Sequence, residues 1–394
     1  MTTALDPLGS GVAELPAPAT TAPSLTLVRP PRFLGYGDVM RILGGLAVVL
    51  VHVAQDGTRQ FATLSAPQWW CCSLLDAAGR WAVPVFIMLS GAIFLDPDRT
   101  EPARKFYHRR WLRLAPAMAF WLVFFLIWET RFNHVTLAAK DVLRLILDGT
   151  TCIHLHFLAV VAGLYLFTPM LRIYLAHAPV RQVWSATALV LGLSVIGTSI
   201  QYFKGIDVLE DANLFNRFVP YLGFYLAGYC LRHATIKGWH LAAAWAGLLL
   251  SILLTAVGAR WMINWLGMDH GGMYFYSQLS PTRPLMAICV FLIIASHWPR
   301  PRNGIPPRND PGSRNARNGA LARAMRHLAT ATLGIYLIHP IFLDLLYRGG
   351  IYSTVPSVWV GTPLRLALAY LASAIVTLIL LEIPYVRALV GGKD

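Results

Sequence analysis

Long apolar runs, broken at intervals by short polar and basic stretches, are the dominant pattern along this chain. A helix needs about 17 to 25 predominantly apolar residues to cross a hydrocarbon layer. Runs near that length occur at residues 40–58, 79–96, 112–128, 153–171, 183–201, 216–231, 239–258, 284–298, 329–347 and 363–386. They predict an all-α polytopic membrane protein of about ten transmembrane helices, with residues 36–388 as one integral membrane domain. Residues 1–35 lie outside it. They are rich in Ala, Pro and Thr and lack the apolar centre of a signal peptide, so they read as a disordered cytoplasmic tail. Residues 300–326, with Pro, Gly, Asn and seven Arg, read as a basic cytoplasmic loop, and 389–394 as a C-terminal tail. No internal repeat is visible, which counts against the inverted-repeat transporter architectures.

Composition strengthens this picture. With 56% hydrophobic and 13% charged residues, a chain of 394 residues has too little polar surface to cover a soluble globule. The net charge of +14 is spread over loops beside apolar spans rather than gathered on one soluble domain, so nucleic acid is excluded as a partner. Anionic membrane lipids and an anionic cytosolic substrate fit better. Two-thirds of the 33 Lys and Arg residues fall on the loops that share a side with the N-terminus. Loops rich in Lys and Arg stay inside, and ten spans then put both termini in the cytoplasm. The five cysteines, Cys71, Cys72, Cys152, Cys230 and Cys289, show no paired spacing, so neither zinc nor a disulfide framework is expected. Cys71 and Cys72 read as small apolar residues in an outward loop.

Ionisable residues inside the runs are the candidates for chemistry, because each costs a few kcal/mol or more in hydrocarbon. Arg41 and His52 bracket the first run, separated by eleven helical steps or about 16 Å. Arg41 reads either as an anion-binding group near the cytosolic surface or as a snorkelling helix-end residue. His52, at about half-depth, reads as a general base or as a hydrogen bond between helices, with Asp56 one turn on. A second run, Arg80 to Gly91, carries Pro84 and the Ser90-Gly91 pair, which bend a helix or permit close backbone approach. A basic cluster follows, in which Arg110 and Arg113 share a helix face and can hold phosphates. His154 and His156 open the fourth span and Tyr165 lies toward its end. At i,i+2 the two histidines do not share a face, so no metal site is expected. His339, before Pro340 in the ninth span, lies at a depth like that of His52, in a helix running the same way.

In order, these runs resemble the membrane acyltransferase-3 family over roughly residues 36–388. Arg41-x10-His52 matches its first-helix motif, and Phe86-x-x-x-Ser90-Gly91 its "FfmiSG" run. Arg109-Arg110-x-x-Arg113-x-x-Pro116 resembles its basic loop, Gly334 to Pro340 its "GIYLIHP" segment, and Glu382-x-Pro384 the end of its last helix. The segment from His156 to Tyr165 looks like the "HLWFLyxlxglYlxtP" pattern of the surface and exopolysaccharide branch, with His156 in place of the Trp. The resemblance implies an enzyme of the bacterial inner membrane that moves an acyl group, usually acetyl, from cytosolic acetyl-CoA to a sugar hydroxyl. Its acceptor would be a lipid-linked or exported polysaccharide, with polysaccharide assembly machinery as a further partner. By carry-over His52 is the catalytic base and Arg41 aids donor binding; His339, from its like depth, reads either as a second catalytic residue in the same cavity or as a histidine tying helices together beside Pro340. Arg41, Arg110 and Arg113 bind the acyl-CoA, which is a donor substrate, and no metal is used. His154, Tyr165, Ser90 and Glu382 are the substrate-side residues. The competing reading is a transporter or flippase whose Arg41, His52 and His339 line a path.

Overall fold

A computed structural model describes residues 35–96, 101–136, 138–148, 155–204, 216–271, 274–298 and 320–392, and the regular elements among these residues are all helices, with no strand. The predicted N-terminal tail, most of the predicted basic loop and His154 lie outside the described residues. In chain order the helices are α1 (Tyr36–Thr58), α2 (Ala66–Gly79), α3 (Ala82–Phe94), α4 (Ala103–Arg131), α5 (Ala139–Asp148) and α6 (His156–His177). They continue with α7 (Val180–Phe203), α8 (Leu222–Leu231), α9 (Trp239–Gly271), α10 (Arg283–His297), α11 (Ala320–Arg348) and α12 (Val358–Glu382). Short 3-10 turns at Val219–Tyr221 and Arg387–Val390 enter α8 and follow α12.

Eight helical stretches among the described residues are long and apolar enough to cross a membrane, α2 and α3 counting as one from Ala66 to Phe94. The two remaining apolar segments, Val219–Leu231 and Arg283–His297, are shorter. They are the predicted spans at 216–231 and 284–298. Most of their side chains are buried among the other helices. More than half of the spanning windows of α1 (56%) and α2–α3 (61%) is buried, and half of that of α11 (50%), against 22% for each of α4, α7 and α9. The first set forms the inside of the molecule and the second its lipid-facing wall, where Leu249, Leu253, Trp261 and Trp265 of α9 are exposed.

Prolines and glycines decide how the inner helices meet. Pro84 has no N–H for the carbonyl four residues back, so α2 and α3 part at Arg80 and Trp81. The Arg80 carbonyl is taken instead by the Arg283 guanidinium of α10. The apolar run therefore begins at Ala66 rather than at the expected 79. Ser65 starts it, its N–H donating to the Gln68 side chain at 3.3 Å, and Pro67 follows in the first turn. Cys71 and Cys72 are thus helical, with free thiols, and not in a loop; Cys72 is buried against Gly57. Further on, α3 and α8 cross with backbones nearly touching. A Cβ at Gly91 would lie 1.9 Å from the Tyr225 carbonyl oxygen, and one at Gly228 would lie 1.8 Å from that of Met88. Only glycine admits that approach.

Two basic segments are more helical than expected. α4 begins at Ala103, so Arg104, Lys105, Arg109, Arg110 and Arg113 lie within its first turns rather than in a loop. α11 begins at Ala320, which takes Arg323 and Arg326 out of the predicted loop.

Candidate active site

At one end of the inner helices, α1 and α11 bring two histidines together. The rings of His52 and His339 have centroids 5.2 Å apart and are inclined by 37°. His339 is fully buried, whereas His52 is half-buried. Pro340 leaves the Tyr336 carbonyl without its helical donor, and the His339 Nδ1 sits 2.8 Å from that oxygen and 3.2 Å from the Ile335 oxygen. His52 also lies within electrostatic reach of Arg80, His156 and Arg59. Next to His156, the Phe157 ring packs 5.4 Å from Tyr336 and 6.3 Å from Phe86. No group of three His, Cys, Asp or Glu among the described residues has the geometry of a metal site. His52 stands six residues before the end of α1 at Thr58, and His339 nine before the end of α11 at Arg348.

Asp56 does not serve His52. It binds the Arg365 guanidinium of α12 and accepts from Ser353 at 3.3 Å. A second buried network is one that sequence reasoning missed. Arg80 pairs with Asp76, and Arg80 and Arg283 both donate to the Tyr276 carbonyl, the latter at 2.7 Å. The Ser73 and Tyr276 hydroxyls are 2.7 Å apart. The i,i+4 spacing of Asp76 and Arg80 was a usable signal. Arg283 was not legible, because its partners are carbonyls.

The other end is built from arginines and aromatic rings. Arg41 pairs with Asp38 at 3.0 Å, and Asp38 accepts from the Gly35 N–H at the start of α1. Tyr165 lies close to the Ser90 side chain and within electrostatic reach of Arg110, Arg113 and Arg41. Its ring is 5.3 Å from Phe94 and 6.2 Å from Phe106. The Arg110 guanidinium covers Phe94 at 4.1 Å, and Arg172, which sequence reasoning passed over, covers Phe106 at 4.8 Å and donates to the Phe94 carbonyl at 2.6 Å. Arg113 donates to the Gly391 carbonyl at 2.8 Å, so the C-terminal residues are strapped to α4 rather than trailing as a tail. Ser90 and Tyr165 thus join the Arg41 group, not the histidines. Glu382 joins neither: it is exposed, seventeen residues along α12 from the Arg365 that marks the His52 end.

Chain direction keeps this register consistent. His156 to Tyr165 spans nine residues of α6, about 14 Å, antiparallel to the eleven from Arg41 to His52, about 16 Å. Phe86, Phe157 and Tyr336 occupy the interval between the two groups.

The profile of the acyltransferase-3 family, described as an acyltransferase domain, matches residues 34–382. No curated protein and no solved structure matches the chain. The match takes in nearly all the described helices and both groups of residues. The chain therefore belongs to the acyltransferase-3 family, as a multi-pass membrane acyltransferase.

Proposed function

We propose that this protein transfers a short acyl group, acetyl in the first instance, from cytosolic acyl-CoA to a sugar hydroxyl of a lipid-linked or exported polysaccharide at the bacterial inner membrane. The observation that carries this reading is the paired His52 and His339 about 15 Å, in helix rise, from the group formed by Arg41, Arg110 and Tyr165. The arginines suit the phosphates of a CoA-type donor, and its flexible arm would run past Phe86 and Phe157 toward His52. The acceptor hydroxyl would enter from the histidine end. His52 takes the hydroxyl proton as the oxygen attacks the thioester carbon. The C–O bond forms, the C–S bond breaks, and the departing thiolate receives that proton.

Membranes holding the full chain and given labelled acetyl-CoA are expected to label a lipid-linked glycan. His52→Ala should lower that labelling by about 10²- to 10⁴-fold, the usual contribution of a general base, at an unchanged amount of inserted protein. An active His52→Ala enzyme would remove the base assignment. Translocation of label without covalent transfer would favour a transporter.

A further inference from the structure

We propose that a belt of side chains contributed by four helices selects the transferred acyl group by width, admitting unbranched chains toward His52 and rejecting branched ones. This rests on the acyl-transfer reading above and names the class of acyl donor that the site takes. The belt consists of contacts around one level of the molecule. On α1 the neighbouring Gly44 and Gly45, three and four residues beyond Arg41, leave gaps where side chains would stand. Other helices fill both. A Cβ at Gly44 would lie 2.7 Å from the Cζ of Phe86 on α3, and one at Gly45 would lie 3.2 Å from the Thr332 methyl on α11. The Phe86 ring meets Phe157 of α6 at 6.3 Å between centroids, and Phe157 meets Tyr336 of α11 at 5.4 Å. Tyr336 stands one turn after Thr332 on the same helix face, which closes the circuit from α1 through α3, α6 and α11 back to α1.

Register puts this circuit across the path of the donor. On one side, Phe86 is one turn from Ser90, which lies beside Tyr165 in the arginine group. On the other, Tyr336 contacts the His339 ring at 6.0 Å, and His339 contacts His52. An arm reaching from Arg110 to His52 between these helices passes the belt with its acyl group leading. The obstacle is stiff, because Phe157 and Tyr336 are buried and the Phe86 tip abuts the backbone of α1, and packed interiors yield little to an added methyl. A straight chain presents the same cross-section whatever its length, whereas a branch beside the carbonyl widens it. Width rather than carbon number is therefore what the belt reads.

The test uses membranes holding the full chain and two labelled donors of equal carbon number, butyryl-CoA and isobutyryl-CoA, beside acetyl-CoA, with label in the lipid-linked glycan as the readout. The ratio of kcat/KM for the two four-carbon donors is taken within each preparation, so it is independent of the amount of folded protein. The wild type should favour butyryl by about tenfold or more, the scale on which a tight apolar site discriminates one methyl. Phe86→Ala and Phe157→Ala widen the belt, and each should raise isobutyryl relative to butyryl by about tenfold. Phe125→Ala removes a buried ring of α4 outside the circuit and should leave the ratio unchanged. Equal use of both donors by the wild type, or a ratio unaltered in the two belt variants, overturns the inference. A wild type that transfers acetyl but neither four-carbon chain is limited by length and also overturns it. If Phe157→Ala does not fold, Phe86→Ala and Phe157→Leu decide. The two levels stay distinguishable: transfer from no acyl-CoA removes the acyl-transfer reading and the belt with it, whereas transfer at an unaltered ratio removes only the belt.

Discussion

The guanidinium of Arg110 lies 4.1 Å from the centre of the Phe94 ring, while Arg113, one turn on, donates to the Gly391 carbonyl at 2.8 Å. Neighbouring charges on one helix face thus meet different partners. Arg110 lies within electrostatic reach of Tyr165, and in the proposed function it would hold a donor phosphate; Arg113 secures the C-terminal strap, along with the Trp121 indole that donates to the Leu389 carbonyl at 2.9 Å. Two outcomes follow. Arg110→Ala should raise the KM for acetyl-CoA about tenfold or more, the scale of one lost charge-assisted contact, with a smaller effect on kcat. Arg113→Ala should change that KM less and make the chain end after Glu382 more sensitive to carboxypeptidase. Equal KM effects with an unaltered chain end would place both arginines in the donor site. At the same scale Arg41 is already paired with Asp38, which holds its head group in place.

Among the elements, the α3–α8 crossing is the most constrained contact. Gly91 and Gly228 stand where any Cβ would enter the partner's backbone, and backbone cannot turn aside as a side-chain tip can. Gly91→Ala should therefore separate the two helices and lower the folded yield in detergent, read by fluorescence-detected size exclusion and a fall in Tm. Gly192 in α7 provides the control, since a Cβ there meets nothing within 4 Å. Gly192→Ala should be neutral or stabilise by about 0.5–1 kcal/mol, the propensity difference between the two residues. A Gly91→Ala protein as stable as Gly192→Ala would refute the close crossing. The crossing also sets the site, because Ser90 and Phe86 hang from the same short helix and reach Tyr165 and Phe157 only in this register.

For the whole molecule, the asymmetry of Lys and Arg predicts which face looks inward. The segment 300–326 carries seven Arg and should remain cytoplasmic, together with the Arg41 end of the site. A single cysteine at Gly312, in a variant lacking the native cysteines, should resist a membrane-impermeant thiol reagent in intact cells and react after permeabilisation. Labelling in intact cells would invert the orientation and move the donor side with it. Burial agrees with a membrane setting, since the outer faces of α4, α7 and α9 expose Leu, Ile, Phe and Trp that water would not favour.

Much of this was legible in the chain. The all-helical class and the ten apolar segments follow from run length, because an apolar stretch of that size has few alternatives in a bilayer. His52 and His339 stood out as ionisable residues deep in such runs, and their order along the chain already placed them on parallel helices. What the runs did not determine was where helices begin, since polar first turns such as Ala103–Arg110 and Ala320–Arg326 are helical without being apolar. Nor did they reveal the backbone carbonyls that Arg283, Arg172 and Arg113 engage, since a carbonyl carries no side-chain signature. Only the tertiary structure set the two imidazole rings 5.2 Å apart and moved Asp56 to Arg365. Helix periodicity determines which residues share a face; which faces meet depends on glycine crossings and proline gaps far apart in the chain.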